Sequence, residues 1–69
     1  MKGYSIRLKF GLMMKDLYFQ IEDEEGSEEK WNQACEGLEA VGDSCTSGPE
    51  FFEKATQHYA KFGFERIAK

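Results

Sequence analysis

The first ten residues restrict the fold more than any others in the chain. Tyr4, Ile6, Leu8 and Phe10 alternate with Ser5, Arg7 and Lys9. A period of two puts four apolar side chains on one side of an extended chain, whereas a helix would scatter them around its circumference. A second alternation follows, with Leu17, Phe19 and Ile21 on one face and Tyr18, Gln20 and Glu22 on the other. Gly11 ends the first run, and Leu12, Met13, Met14, Lys15 and Asp16 form a connection of hairpin length that lacks an Asn-Gly or Asp-Gly pair. The two runs read as antiparallel strands whose apolar faces form one side of a core.

The pattern then changes period. Asp23, Glu24, Glu25 and Gly26 break the alternation, and Ser27 before Glu28 and Glu29 has the form of a helix start, a hydroxyl cap with acids against the positive end of the dipole. Trp31, Ala34, Cys35, Leu38 and Val41 fall at helical spacing, with Gly42 as the stop. A loop over residues 43–48 leads to Ser47, Gly48, Pro49 and Glu50, which combine a cap, an early proline and an acid three residues on. Phe51, Phe52, Ala55, Tyr59 and Phe62 form the second stripe, and Gly63 ends it. Phe64 and Ile67 in the tail predict a third strand closing onto the hairpin. The expected fold is α+β, a small two-layer sandwich of ββααβ order, with an antiparallel sheet of two to three strands and two helices on one face.

At 69 residues there is room for one compact domain spanning 1–69. No apolar run approaches the ~20 residues of a membrane span, and Met1-Lys2-Gly3-Tyr4 leads into alternation rather than a signal peptide. Cys35 and Cys45 are too few and wrongly spaced for a disulfide framework or a zinc site, so reduced thiols and a cytoplasmic setting are expected. Trp31, three tyrosines and six phenylalanines crowd so short a chain, which predicts that some aromatics lie in an exposed patch. Leu12, Met13 and Met14, read as a loop, form a second candidate for partner docking or for homodimer formation.

Charge is the strongest functional signal. The net charge is −4, and the signs are segregated. Lys2, Arg7, Lys9 and Lys15 precede any acid, whereas Glu22, Asp23, Glu24, Glu25, Glu28 and Glu29 follow with no base among them. Glu36 and Glu39 extend the acidic run along the first helix stripe's outer side, within a turn or two of Glu29. Solvated loops and helix faces account for single acids of this kind. Together, the eight define a negative surface suited to a protein partner with a basic face. The alternative is the outer sheet face, where Arg7, Lys9 and Tyr18, joined by Arg66 from the tail, would bind single-stranded nucleic acid through phosphate contacts and stacking.

Residues with catalytic chemistry are sparse. His58 is the only histidine, and it reads as a half-buried helix residue rather than a base. Cys45 lies near enough in sequence to face His58, but nothing beyond a distant helix dipole lowers its pKa. Cys35 reads as a small hydrophobe. The acidic run lacks the spacing of a calcium loop, and Thr46-Ser47-Gly48 lacks the lysine and the further glycines of a phosphate loop. No metal and no cofactor are therefore expected. The expectation is a non-enzymatic interaction module. Its size and charge are those of phage or mobile-element inhibitors of host nucleic-acid-handling machinery, of the anti-CRISPR or anti-restriction type, an analogy that rests on those two properties alone.

Overall fold

The computed structural model describes residues 1–68. Strand β1 (Lys2–Phe10) pairs antiparallel with β2 (Met13–Ile21) from Phe10↔Met13 to Lys2↔Ile21. Both strands are longer than the alternation suggested: β1 begins two residues earlier, at Lys2, and β2 begins at Met13 because the turn is only two residues, Gly11 and Leu12. Gly11 at φ 62 supplies the glycine-first pattern of a type II′ turn. Met13 and Met14, expected in a loop, therefore belong to the strand. Strand β3 (Glu65–Ile67) pairs antiparallel with residues 18–20 of β2, so the sheet order is β1-β2-β3.

One face of this sheet is covered by helices α1 (Ser27–Glu36), α2 (Leu38–Asp43) and α3 (Gly48–Lys61). The α+β sandwich is as expected, but the first helix is divided. Gly37 closes α1 and opens α2, and an α3 side chain lies against it. His58 Nε2 is 2.8 Å from the Ala34 carbonyl oxygen in the last turn of α1. A Cβ on Gly37 would stand 2.8 Å from His58 Cε1. A side chain inserted at the carbonyl ladder is a recognised cause of helix breaks, and only glycine leaves room for it here.

Ser27 does not cap α1. The N-cap is Gly26, and the Ser27 hydroxyl is buried against the Tyr4 hydroxyl at 2.8 Å. The start of α3 follows the expected chemistry. Ser47 Oγ accepts from the Glu50 N–H at 3.3 Å, and Glu50 Oε1 accepts from the Thr46 N–H at 2.9 Å. At its other end, Phe64 N–H donates to the Tyr59 carbonyl and Gly63 N–H to that of Ala60, the paired bonds of a Schellman turn that sends the chain back to β3.

The aromatic residues are absorbed rather than displayed. Trp31 stacks between Tyr4 and Tyr59 at centroid distances of 4.9 and 4.6 Å, with Phe64 edge-on at 5.2 Å. Phe19, Phe51, Phe52, Tyr59 and Phe64 are buried, and Phe10, Trp31 and Phe62 are half-buried. The expected exposed aromatic patch does not form, because the rings stack and meet edge-on in the core, with Tyr4, Phe10, Trp31 and Phe62 half-buried against it. The large hydrophobic residues that are exposed among the described residues are Met1, Leu12, Met13 and Met14.

Candidate functional site

The acidic surface begins where β2 ends. Glu22, Asp23, Glu24 and Glu25 are all exposed in the link from β2 to α1. The link is ordered by its own bonds. Asp23 Oδ1 accepts from the Glu25 N–H at 3.1 Å, and the Glu24 carbonyl accepts from the Ser27 N–H at 3.2 Å. The buried Tyr4–Ser27 pair ties the start of α1 to β1, so the acids project from a fixed base. Glu28 and Glu29 are exposed in the first turn of α1, and Glu36 lies seven residues beyond Glu29, on the same line of the helix. Glu39 is also exposed, but the break at Gly37 puts it on α2, so Glu29, Glu36 and Glu39 do not share the one continuous helix expected.

These acids have almost no internal compensation. The N-terminal ammonium stands 3.4 Å from Glu24 Oε2. The other ion pair among the described residues is Arg7 with Asp16, far from this surface in the fold. Among the described residues, none of Glu22, Asp23, Glu25, Glu28, Glu29, Glu36 and Glu39 is ion-paired, and all seven are exposed.

The outer sheet face is different. Register places Gly3, Ser5, Arg7 and Lys9 on the same side as Met14, Asp16, Tyr18 and Gln20. Arg7 Nε donates to Asp16 Oδ1 at 2.8 Å and its Nη2 to Oδ2 at 3.3 Å, a bidentate pair directly across the ladder. The hydrogen bonds from Arg7 hold the Asp16 carboxyl below the usual carboxylate range and in turn raise the guanidinium. Arg66 is not on this face. It lies opposite Phe19, on the helix side, where its Nη1 donates to Thr56 Oγ1 at 3.3 Å. Glu65 and Ile67 are the β3 residues that join the outer face, opposite Gln20 and Tyr18. Among the described strand residues, two cations and two carboxylates share that face, so these strands do not form the basic surface expected from the sequence.

The groups with catalytic potential are each engaged structurally. A carbonyl oxygen only accepts, so His58 carries its proton on Nε2 toward Ala34. Its ring also lies edge-on to Phe62 at 5.3 Å. Cys45 is buried with its thiol toward the Val41 carbonyl at 3.1 Å, while the His58 Nε2 is engaged with Ala34. The two cysteines are unbridged. Cys35 Sγ lies 3.3 Å from the Tyr59 hydroxyl, whose pKa burial drives far above the ordinary tyrosine value. No group of three metal-ligating side chains occurs among the described residues, and no described helix is long and apolar enough to cross a membrane. Sequence reasoning missed His58 as a helix-breaking contact and Met13 and Met14 as strand residues. The first carries no local signal, and the second was signalled by the glycine of Gly11-Leu12. Comparison with protein-family models, with curated proteins and with solved structures finds no match.

Proposed function

We propose that the protein is a non-enzymatic interaction module, acting in the cytoplasm, that presents its acidic surface to a protein partner with a basic face. The observation that carries this reading is the absence of compensation. Eight exposed carboxylates run from the β2–α1 link along α1 to α2, and among the described residues only the N-terminal ammonium is ion-paired with one of them. Such a surface sets up a negative potential that accelerates encounter with a basic patch and disfavours acidic partners. Basic grooves that hold nucleic acid are the partners of matching chemistry, and an acidic module seated in one would compete with the nucleic acid. The alternative, binding of single strands by Arg7, Lys9, Tyr18 and Arg66, loses support from the Arg7–Asp16 pair and from the position of Arg66 on the opposite face.

The test is a comparison of sign. The triple reversal Glu24→Lys, Glu25→Lys and Glu29→Lys is expected to slow association with a basic partner by about tenfold or more, and added salt to weaken wild-type binding. Reversal of Arg7 and Lys9 is expected to leave binding unchanged. Labelled single- and double-stranded oligonucleotides are expected not to bind the free protein at physiological salt. Micromolar binding to either, lost on reversing Arg7 and Lys9, rejects the acidic-surface reading.

A further inference from the structure

Strand β2 is longer than the strand that covers it. β3 pairs with residues 18–20, and residues 13–17 have β1 on one side and, among the described residues, no strand on the other. The two-residue turn makes Phe10↔Met13 the hydrogen-bonded closing pair, and bonded pairs recur at every second position. Met14 and Asp16 are therefore non-bonded positions of the β1–β2 ladder, and their backbone N–H and C=O groups point outward. Tyr18 and Gln20 have the same orientation, and these are the positions that β3 takes up through Ile67 and Glu65. Among the described residues, no backbone bond reaches Met14 or Asp16 from the open side.

A groove of about 600 Å³ lies along this open edge, between β2 and α3. Met13 and Met14 point to opposite faces of the sheet, yet both line the groove, which only a cavity at a strand edge allows. Met13, Pro49 and Phe52 make its apolar floor, and Met13 and Met14 remain 45% and 58% exposed. Lys15, on the helix side of the sheet, stands with its Nζ 5.9 Å from the Phe52 ring centroid, and Arg66 closes the β3 end. Among the described residues, neither cation is ion-paired, and Glu53 is the one carboxylate lining the groove.

We propose that residues 13–17 of β2 are a β-addition site for an extended peptide running antiparallel to β2, in line with β3. The backbone of Met14 and Asp16 supplies the ladder bonds, and the groove selects side chains at alternate positions. The peptide residue opposite Lys15 faces the groove and is matched by a carboxylate, between Lys15 and Arg66. Two residues later, the residue opposite Met13 faces the apolar floor. The recognised pattern, from N to C, is an acidic residue, any residue, then a large apolar residue. A second copy of β2 is a poorer occupant, because a two-fold centred on Lys15 opposes two lysines. This surface is separate from the acidic one, so each stands or falls without the other.

The test uses a fluorescein-labelled decapeptide of alternating Thr and Val with Glu-Thr-Leu at its centre, titrated into the full chain. Saturable binding is expected, with new hydrogen-exchange protection at the Met14 and Asp16 amides. Met14→Pro removes an outward N–H that β1 does not use, a substitution that edge strands tolerate; it is expected to weaken binding at least about tenfold. Arg66→Glu is expected to weaken the glutamate peptide and to favour its lysine counterpart, a reversal that fold damage does not produce. Unchanged binding to both variants overturns the proposal. So does unchanged affinity of a backbone N-methylated peptide, which marks the groove as a site for apolar groups alone. Edge protection that rises with protein concentration in the absence of peptide, marking a second copy as occupant, or the absence of peptide binding at millimolar concentration, also overturns it.

Discussion

Substitution of Gly37 by alanine has opposite consequences depending on one residue in another helix. Gly37 has φ −79 and ψ −9, a backbone conformation that alanine adopts freely. In isolation, Gly37→Ala stabilises by about 0.5–1 kcal/mol, through helix propensity and a less flexible unfolded chain. In this fold the new methyl would lie 2.8 Å from His58 Cε1 and 2.9 Å from Nε2. The imidazole must leave, and with it go the bond to the Ala34 carbonyl and its packing on α1. The bond contributes about 0.5–1.5 kcal/mol, and the lost packing about as much again. At the middle of these ranges the balance is a net destabilisation of about 1–2 kcal/mol. At about 4–8 °C per kcal/mol for a domain of this size, the melting temperature falls by roughly 4–16 °C. In a His58→Ala background the obstacle is gone, and the same alanine is expected to raise stability by about 0.5–1 kcal/mol. Urea melts of the four proteins close the cycle, with an expected coupling of about 1.5–3 kcal/mol. A coupling below about 0.5 kcal/mol, or a Gly37→Ala protein more stable than wild type, would refute the account of the helix break.

Two further outcomes are expected. Phe51→Ala and Leu38→Ala are expected to cost about 2–5 kcal/mol each, because these side chains are 6% and 8% exposed in one core; melts that match wild type contradict the packing of α2 and α3 on the hairpin. Tyr59 is fully buried and its folded pKa lies far above the unfolded value of about 10. Its contribution is complete below about pH 10 and is lost as pH rises above it, at up to about 1.4 kcal/mol per pH unit, while only the unfolded chain ionises it. Absorbance at 295 nm should show one tyrosine ionising only on unfolding, and Tyr59→Phe should flatten the alkaline loss; equal slopes in the two proteins count against this.

Much of the fold was legible because local patterns and tertiary contacts agree. The alternation over Tyr4, Ile6, Leu8 and Phe10 is a strand in any context, and Ser47, Pro49 and Glu50 satisfy the start of α3 from within their own segment. The misreadings arise where a local signal meets a distant competitor. Ser27 has the chemistry of a cap, but Tyr4, 23 residues earlier, takes its hydroxyl. The apolar stripe from Trp31 to Val41 is periodic as one helix, yet His58 divides it from a sequence distance of 24 residues. Neither competitor leaves any mark near the position it affects.

The charge pattern shows the same division more sharply. Acids at residues 22–29 stay together in space because a link and one helical turn keep sequence neighbours as spatial neighbours. The bases at 2–15 do not, because strand pairing sets each against whatever lies across the ladder. Arg7 meets Asp16, nine residues away, and the two cancel at 2.8 Å. Lys15 and Arg66 come from opposite ends of the chain, and the same pairing puts both on the helix side, where they flank one groove. A run of like charge in a sequence is thus evidence for a surface when it falls on a helix or a link. On a strand it becomes evidence only once the register is known, and here the register dissolves the expected basic face and leaves two cations beside the part of the β2 edge that lies beyond β3.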